Sequence, residues 1–165
     1  MEHLSIEKYI TGQYALNIHH ADIEDEPTGD WHGFIWDNIK ELPHKDVTYA
    51  GKGCFIDTFN IWGNFGIYDD TKHLMENFIL KEDTYVADYY RAILDMIYSS
   101  LKKYGKIYHL NCITHDHLDN EHQVMLVINK LQLLEKHLNS KENDELKRWV
   151  DNELNYENNR AGIYA

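Results

Sequence analysis

The spacing of hydrophobic and polar positions changes partway along the chain. Up to about residue 68, apolar residues come in short aromatic or β-branched runs that glycines interrupt. From about residue 69 onward they recur every three or four positions, the spacing of an amphipathic helix. No repeat or low-complexity linker separates the two parts, so the pattern predicts one α+β domain over residues 1–157. Residues 158–165 are expected to form a frayed C-terminal tail.

Short runs in the N-terminal half predict strands. Residues 14–18 form a short strand candidate, and residues 47–49 and 54–61 look like strands punctuated by Gly51, Gly53 and Gly63. In the third run, residues such as Phe55 and Ile56 alternate between two sides, which is typical of a half-buried antiparallel sheet. We therefore expect a small antiparallel sheet from the N-terminal half, packed against about four helices from the C-terminal half.

Helical spacing predicts those four helices. The first begins near Asp70, and the second begins near Asp83 and ends at Gly105. The third covers residues 117–138, and the fourth covers residues 142–156.

Side chains on two of these helices are expected to share a face. On the first helix, Leu74 and Met75 belong to the apolar face that would be buried. On the second, Asp88, Arg91 and Asp95 fall at positions i, i+3 and i+7, where they can pair with one another.

The composition is strongly acidic, with 16 Lys and Arg against 28 Asp and Glu and a net charge of −12. Residues 1–82 carry −9 of this charge and residues 83–165 carry −3. Such a surface repels phosphate, which argues against direct binding of nucleic acid and of anionic membranes. Basic proteins and metal cations are the partners that an acidic protein attracts.

The cellular compartment also follows from composition. The sequence has no secretory signal, no apolar run long enough to span a bilayer, and only two cysteines, Cys54 and Cys112. These features predict a cytoplasmic protein whose thiols stay reduced.

Many of the acidic residues of the N-terminal half fall in one loop, which precedes two tryptophans. The expected contact surface consists of Asp22, Glu24, Asp25, Glu26, Asp30, Trp31 and Trp36. Aromatic anchors supply affinity at an interface, and complementary charge supplies fast association. We therefore expect a small acidic protein-binding module without a cofactor, similar in profile to bacterial inhibitors such as immunity proteins, antitoxins or anti-defence factors.

A histidine-rich segment indicates an alternative function, that of a His/Asp-dependent enzyme. His115, His117 and Asp119 resemble the His-x-His-x-Asp motif of metallo-β-lactamase-type hydrolases, which holds a metal pair. The segment departs from that motif because Asn120 replaces a further histidine and fewer than fifty residues follow it.

A single helix through the same segment would place His115, Asp119 and His122 on one face. The candidate ligands of a divalent metal are thus His115, His117, Asp119 and His122. Histidines at the end of a solvated helix give the same pattern without a metal.

A second candidate for catalysis is the pair Asp30 and His32, in which the carboxylate would orient the imidazole as a general base. Its structural alternative is a turn followed by a buried Trp31. A third class of function, a subunit of a homo-oligomer, predicts an exposed apolar patch.

Four segments together resemble a family of small hypothetical bacterial proteins. They are residues 14–17, 29–32, 64–68 and 87–95, and the resemblance extends over residues 11–110. That family has no established activity, so the resemblance implies no catalytic or binding residue.

Overall fold

The computed structural model describes residues 6–18, 26–27, 41–42, 47–77, 79–80 and 83–156. The strands are β1 (Lys8–Ile10), β2 (Glu41–Leu42), β3 (Tyr49–Gly51), β4 (Ile67–Asp69), β5 (Ile79–Leu80) and β6 (Tyr85–Ala87). The helices are α1 (Phe59–Trp62), α2 (Thr71–Asn77), α3 (Tyr89–Tyr104), α4 (Ile113–His117), α5 (Glu121–Leu131) and α6 (Ser140–Leu154). Two 3-10 helices occupy Gly12–Asn17 and Gln132–His137.

Four strands form a mixed sheet in the order β3, β1, β6, β4. The outer pairs are antiparallel, with Tyr9 of β1 opposite Ala50 and Tyr68 of β4 opposite Val86. The central pair, β1 and β6, is parallel and places Ile10 opposite Val86. β2 and β5 form a separate two-stranded parallel sheet.

The α+β class is confirmed, because the sheet comes mostly from the N-terminal half and the helices mainly from the C-terminal half. The expectation of an antiparallel sheet is wrong for the central pair. β1 and β6 are far apart in sequence, so no tight hairpin joins them, and a long crossover allows them to run parallel.

Two predicted strands are not strands. Residues 14–18 fall largely in the first 3-10 helix, which buries Ala15, Leu16 and Ile18. Residues 54–61 form turns followed by the start of α1. A short apolar run is compatible with both a strand and a tight helical turn. In this structure the apolar side chains of residues 14–18 are buried by the helical turn.

The second predicted helix begins later than its spacing indicates. Residues 85–87 form β6, and Asp88 then caps α3 by accepting a 2.8 Å hydrogen bond from the Arg91 amide. The end of the helix at Gly105 is confirmed, with the glycine in the left-handed conformation at φ 68°.

The third predicted helix is divided, and the fourth is confirmed. Residues 118–120 interrupt the helical backbone between α4 and α5, and Asn120 caps α5. The fourth helix is α6, whose start is fixed by a capping box between Asn139 and Glu142. The expected tail at residues 158–165 lies outside the described residues.

Helix α3 forms the centre of the hydrophobic core. Ile93, Leu94, Ile97 and Leu101 are fully buried along it. Each such side chain contributes about 1.5–3 kcal/mol when it leaves water. Trp149 brings α6 against this core, and its indole nitrogen donates a 3.1 Å hydrogen bond to the Leu110 carbonyl.

A polar cluster is buried where α3 meets the sheet. Asp95 Oδ2 accepts hydrogen bonds from Tyr9 Oη at 2.7 Å and Thr11 Oγ1 at 2.8 Å. Asp95 Oδ1 accepts from Thr58 Oγ1 at 2.7 Å and from Arg91 Nε at 3.2 Å, which confirms the predicted Arg91–Asp95 pair. Burial raises the pKa of the Asp95 carboxyl, and Arg91 and the three hydroxyl donors oppose that rise.

Each nitrogen of the Arg91 guanidinium donates at least one hydrogen bond to a neighbouring group. Nη1 donates 2.9 Å hydrogen bonds to the carbonyls of Gly63 and Phe65, and Nη2 donates one of 2.9 Å to Thr58 Oγ1. The group also lies 5.6 Å from the centre of the Trp62 ring. Arg91 therefore fixes the backbone that leaves α1.

Gly66 is required beside the cap of α3. Its φ is +71°, and its carbonyl accepts a 2.7 Å hydrogen bond from the Asp88 amide. An added Cβ would lie 2.5 Å from Asp88 Oδ1 and 2.7 Å from Arg91 Cβ. Any other residue would therefore displace both the cap and the buried arginine.

We expect Asp95→Asn to lower the free energy of unfolding by about 3–5 kcal/mol, because the substitution leaves the buried Arg91 charge without its counter-ion. Urea unfolding followed by circular dichroism measures the change. Asp144→Asn, on the exposed surface of α6, is the control and should change stability by less than about 0.5 kcal/mol. Equal stability of the two variants would show that the pair does not hold the fold together.

Candidate functional site

The expected protein-binding surface is described only at Glu26. The other proposed contact residues, Asp22, Glu24, Asp25, Asp30, Trp31 and Trp36, lie outside the described residues, as does His32. Glu26 lies close enough to Tyr68 of β4 for its charge to act on the Tyr68 phenol. Burial raises the pKa of the Tyr68 phenol, and the charges of Asp88 and Glu26 add to this rise. Glu26 therefore lies near β4.

An open groove of about 700 Å³ adjoins β4 and α2. It is lined by Asp69, Thr71, Lys72, Met75, Glu76 and Asp83, and we call it the acidic groove. Three of these side chains are carboxylates and one is a lysine. Met75 is 66% exposed, which is unusual for a large apolar side chain.

Short polar contacts hold one side of the acidic groove. Asp69 Oδ1 accepts hydrogen bonds from the amide and the hydroxyl of Thr71, at 3.0 and 2.6 Å. Thr71 Oγ1 in turn accepts one of 2.9 Å from the Thr84 amide. These bonds join the end of β4, the first turn of α2 and the residue that follows Asp83.

The spacing of residues along the sequence did not predict this groove. Helical spacing predicted both Leu74 and Met75 on a buried face, and this is confirmed only for Leu74. Asp69 followed by Thr71 at the start of a helix was the available signal, since this spacing suits an Asp side chain that caps a turn.

The candidate metal ligands are not brought together. His117 is buried in α4 with its ring edge-on to Tyr89 at 6.1 Å, whereas Asp119 and His122 are exposed. Across the described ranges, no group of three or more His, Cys, Asp or Glu side chains is arranged to hold a metal ion. The expected common face is absent because the break before α5 places His115 and His122 on different helices.

His115 belongs instead to a contact between α4 and the end of α6. Its Nε2 lies 2.8 Å from the Glu153 carbonyl oxygen and 3.7 Å from Glu153 Oε2. A carbonyl only accepts hydrogen bonds, so Nε2 carries a proton. The ring stacks on Tyr156 with 4.0 Å between ring centres. Both rings line a cleft of about 490 Å³.

The Glu153 carboxyl is the buried acid of this cleft and is 2% exposed. Among the described residues, neither of its side-chain oxygens has a hydrogen-bond partner of good geometry. Burial raises the pKa of Glu153 to about 7, contacts with the hydroxyl and amide of Thr114 oppose the rise, and the charge of Asp116 adds to it. A carboxyl that titrates near neutral pH is suited to accept and release a proton.

The burial of Glu153 was also not predicted from the sequence. Its position is four residues after Trp149 and seven after Leu146, on the apolar stripe of α6. The structure buries Glu153 and leaves Leu154 exposed. A glutamate in phase with an apolar stripe was therefore the signal that could have found it.

No protein-family model, curated protein or solved structure matches this chain. The resemblance to small hypothetical bacterial proteins therefore stays a prediction and transfers no residue role. Of the helices that the structure describes, none combines the length and the apolar character needed to cross a bilayer.

We expect Glu153→Gln to be more stable than the wild type at pH 8 and to lose this advantage at pH 5. A folded-state pKa of about 7, above the ordinary value of 4.5, means that the native state holds the proton more tightly. The stabilisation is complete below pH 4.5 and is lost as the pH rises through 7. At pH 8 the loss is on the order of 3 kcal/mol, measured by urea unfolding.

The control for this measurement is Glu121→Gln, which removes an exposed carboxylate from the same cleft. Its difference from the wild type should be small at both pH values. A difference between the wild type and Glu153→Gln that is equal at pH 5 and pH 8 would contradict the raised pKa.

Proposed function

We propose that this protein is a small cytosolic module that binds a basic protein, as inhibitors of the immunity-protein, antitoxin or anti-defence kind do. One observation carries the proposal. Met75 is 66% exposed in a groove that it lines together with the carboxylates of Asp69, Glu76 and Asp83. An accessible apolar side chain beside a net negative charge is the arrangement expected of a surface that meets a cationic partner.

The two parts of this surface have separate roles. Met75 provides a flexible apolar contact that adapts to its partner and is desolvated on binding. The surrounding carboxylates speed the encounter and select against partners of the same charge.

Glu26 links the acidic groove to the predicted contact loop. Its charge acts on Tyr68, and Tyr68 adjoins Asp69, the first residue of the groove. The proposed interface therefore continues from the groove along β4 to Glu26, the one predicted contact residue that the structure describes.

The same charge argues against a homo-oligomer assembled through this surface. A two-fold interface places the same patch on both subunits, so the carboxylates of the acidic groove would face one another. Like charges across an interface are costly, whereas a basic partner neutralises them.

We expect the double variant Glu76→Lys with Asp83→Lys to weaken binding of the basic partner about tenfold or more, because it reverses two charges of the acidic groove. The partner is captured from an extract of the native host at low salt, identified by mass spectrometry and purified. Its affinity is then measured by titration calorimetry at several salt concentrations.

Asp144→Lys with Asp151→Lys is the matched control, because it makes the same change in net charge on exposed positions of α6. The control should retain the wild-type affinity within about twofold. Equal weakening by both double variants would show that net charge alone matters. No weakening by either would remove the acidic groove from the interface.

A second candidate function, a His-dependent hydrolase, is favoured by the cleft between α4 and α6. His115 and a carboxyl with a pKa of about 7 lie together there, at 3.7 Å, and such a pair could activate water as a general base. The other candidate pair, Asp30 and His32, lies outside the described residues.

The hydrolase alternative is tested with p-nitrophenyl acetate as the probe. If His115 acts as a base, His115→Ala abolishes hydrolysis above the background rate, because no other imidazole lines the cleft among the residues the structure describes. His122→Ala, an exposed histidine of α5, leaves the rate unchanged. Equal rates for the two variants would exclude His115 as the base.

A further inference from the structure

A second groove has the opposite chemistry to the acidic groove. It has a volume of about 300 Å³ and lies between the C-terminal end of α3, the first 3-10 helix and residues 108–110. Tyr14, Tyr104 and Tyr108 contribute rings to it, and we call it the tyrosine groove. Among its described lining residues, Lys103 carries the only formal charge. On a chain with a net charge of −12, this is a locally cationic surface.

Two tyrosines of this groove are largely exposed to solvent. Tyr104 is 56% exposed and Tyr108 is 48% exposed. Their ring centres are 5.4 Å apart and their planes meet at 77°, an edge-to-face pair. Lys103 Nζ lies 5.3 Å from the centre of the Tyr104 ring, so the cation is next to the aromatic surface.

Hydrogen bonds hold the loop that carries Tyr108. Ser100 Oγ donates to the Lys106 carbonyl at 2.7 Å and accepts from the Tyr108 amide at 2.9 Å. The Trp149 indole donates to the Leu110 carbonyl at 3.1 Å. The aromatic surface is thus ordered by the fold itself, which removes an entropic cost from binding.

Backbone strain is concentrated at the same place. His109 and Cys112 adopt positive φ values of 59° and 64°, a conformation that residues other than glycine seldom adopt. His109 lines both the tyrosine groove and an adjoining cavity of about 110 Å³, together with Gln13. Strained residues of this kind cluster at ligand sites, because the fold must hold them against their preference.

We propose that the tyrosine groove binds a small molecule that joins a planar heteroaromatic ring to an anionic group, which is the chemistry of a mononucleotide. The ring stacks on the face of Tyr108, with Tyr104 edge-on beside it, and the phosphate pairs with Lys103. His109, which lines the same groove, would face the edge of the ring. This proposal is independent of the basic protein partner, since the two grooves use different residues.

The strong negative charge of the chain is compatible with such a ligand. Repulsion between the protein and a nucleic acid grows with the number of phosphates in the polymer. A mononucleotide carries only about two negative charges, and the lysine beside the tyrosines offsets one of them locally.

The test uses AMP, GMP, CMP and UMP as probes in titrations followed by NMR and calorimetry. We expect saturable binding of at least one of them, with shifts confined to residues of the tyrosine groove. The matching nucleoside and ribose 5-phosphate should each bind more weakly, since each lacks one of the two recognised groups. Absence of saturable binding by all four mononucleotides would overturn the proposal.

Two variants separate the contributions of the groove. Lys103→Gln should weaken the nucleotide about tenfold and leave the nucleoside unchanged, because only the phosphate contact is lost. Tyr108→Leu should weaken both about tenfold or more, because stacking is lost. Tyr104→Leu repeats the second measurement if Tyr108→Leu does not fold.

The controls change the same residue types elsewhere. Lys141→Gln removes an exposed lysine of α6, and Phe59→Leu removes an exposed ring of α1. Both should bind the nucleotide as the wild type does. Wild-type affinity in Lys103→Gln and in both tyrosine variants would also overturn the proposal.

Discussion

The ion pair between Arg91 and Asp95 is the constraint on which the arrangement of the other elements depends. Both side chains are fully buried, and removing two charges from water costs several kcal/mol for each ion. That cost is tolerable only if every remaining donor and acceptor is satisfied. Tyr9 and Thr11, in and just after β1, and Thr58, before α1, supply those groups. The position of β1 relative to α3 is therefore set by chemistry as well as by packing.

Helix α3 connects this cluster to both grooves. Its cap at Asp88 holds Gly66, which leads directly into β4 and the acidic groove. Its other end carries Lys103 and Tyr104 to the tyrosine groove. One helix thus supports two surfaces of opposite charge, so the proposed cationic partner and the proposed anionic ligand would use different residues.

The sequence was sufficient for features that depend on neighbours along the chain. The spacing of Arg91 and Asp95 predicted their pairing, and Gly105 predicted the end of α3. It was insufficient for β6, because residues 85–87 continue the helical spacing and only the contact with β1 makes them a strand. The exposure of Met75 and the burial of Glu153 could not be predicted for the same reason, since spacing assigns a side chain to a face but does not say what covers that face.

The polar cluster joins residues that are far apart in the sequence, and this separation has a consequence for biosynthesis. Tyr9 and Asp95 are 86 residues apart in the chain, so β1 leaves the ribosome well before its partner exists. At about 5–20 residues per second, the interval is roughly 4–17 s. During this time the hydroxyls of Tyr9 and Thr11 are without their carboxylate acceptor. Until residues 85–87 have been synthesised, one edge of β1 is also without its neighbouring strand β6. The nascent chain is therefore most exposed to wrong pairing before α3 has been synthesised.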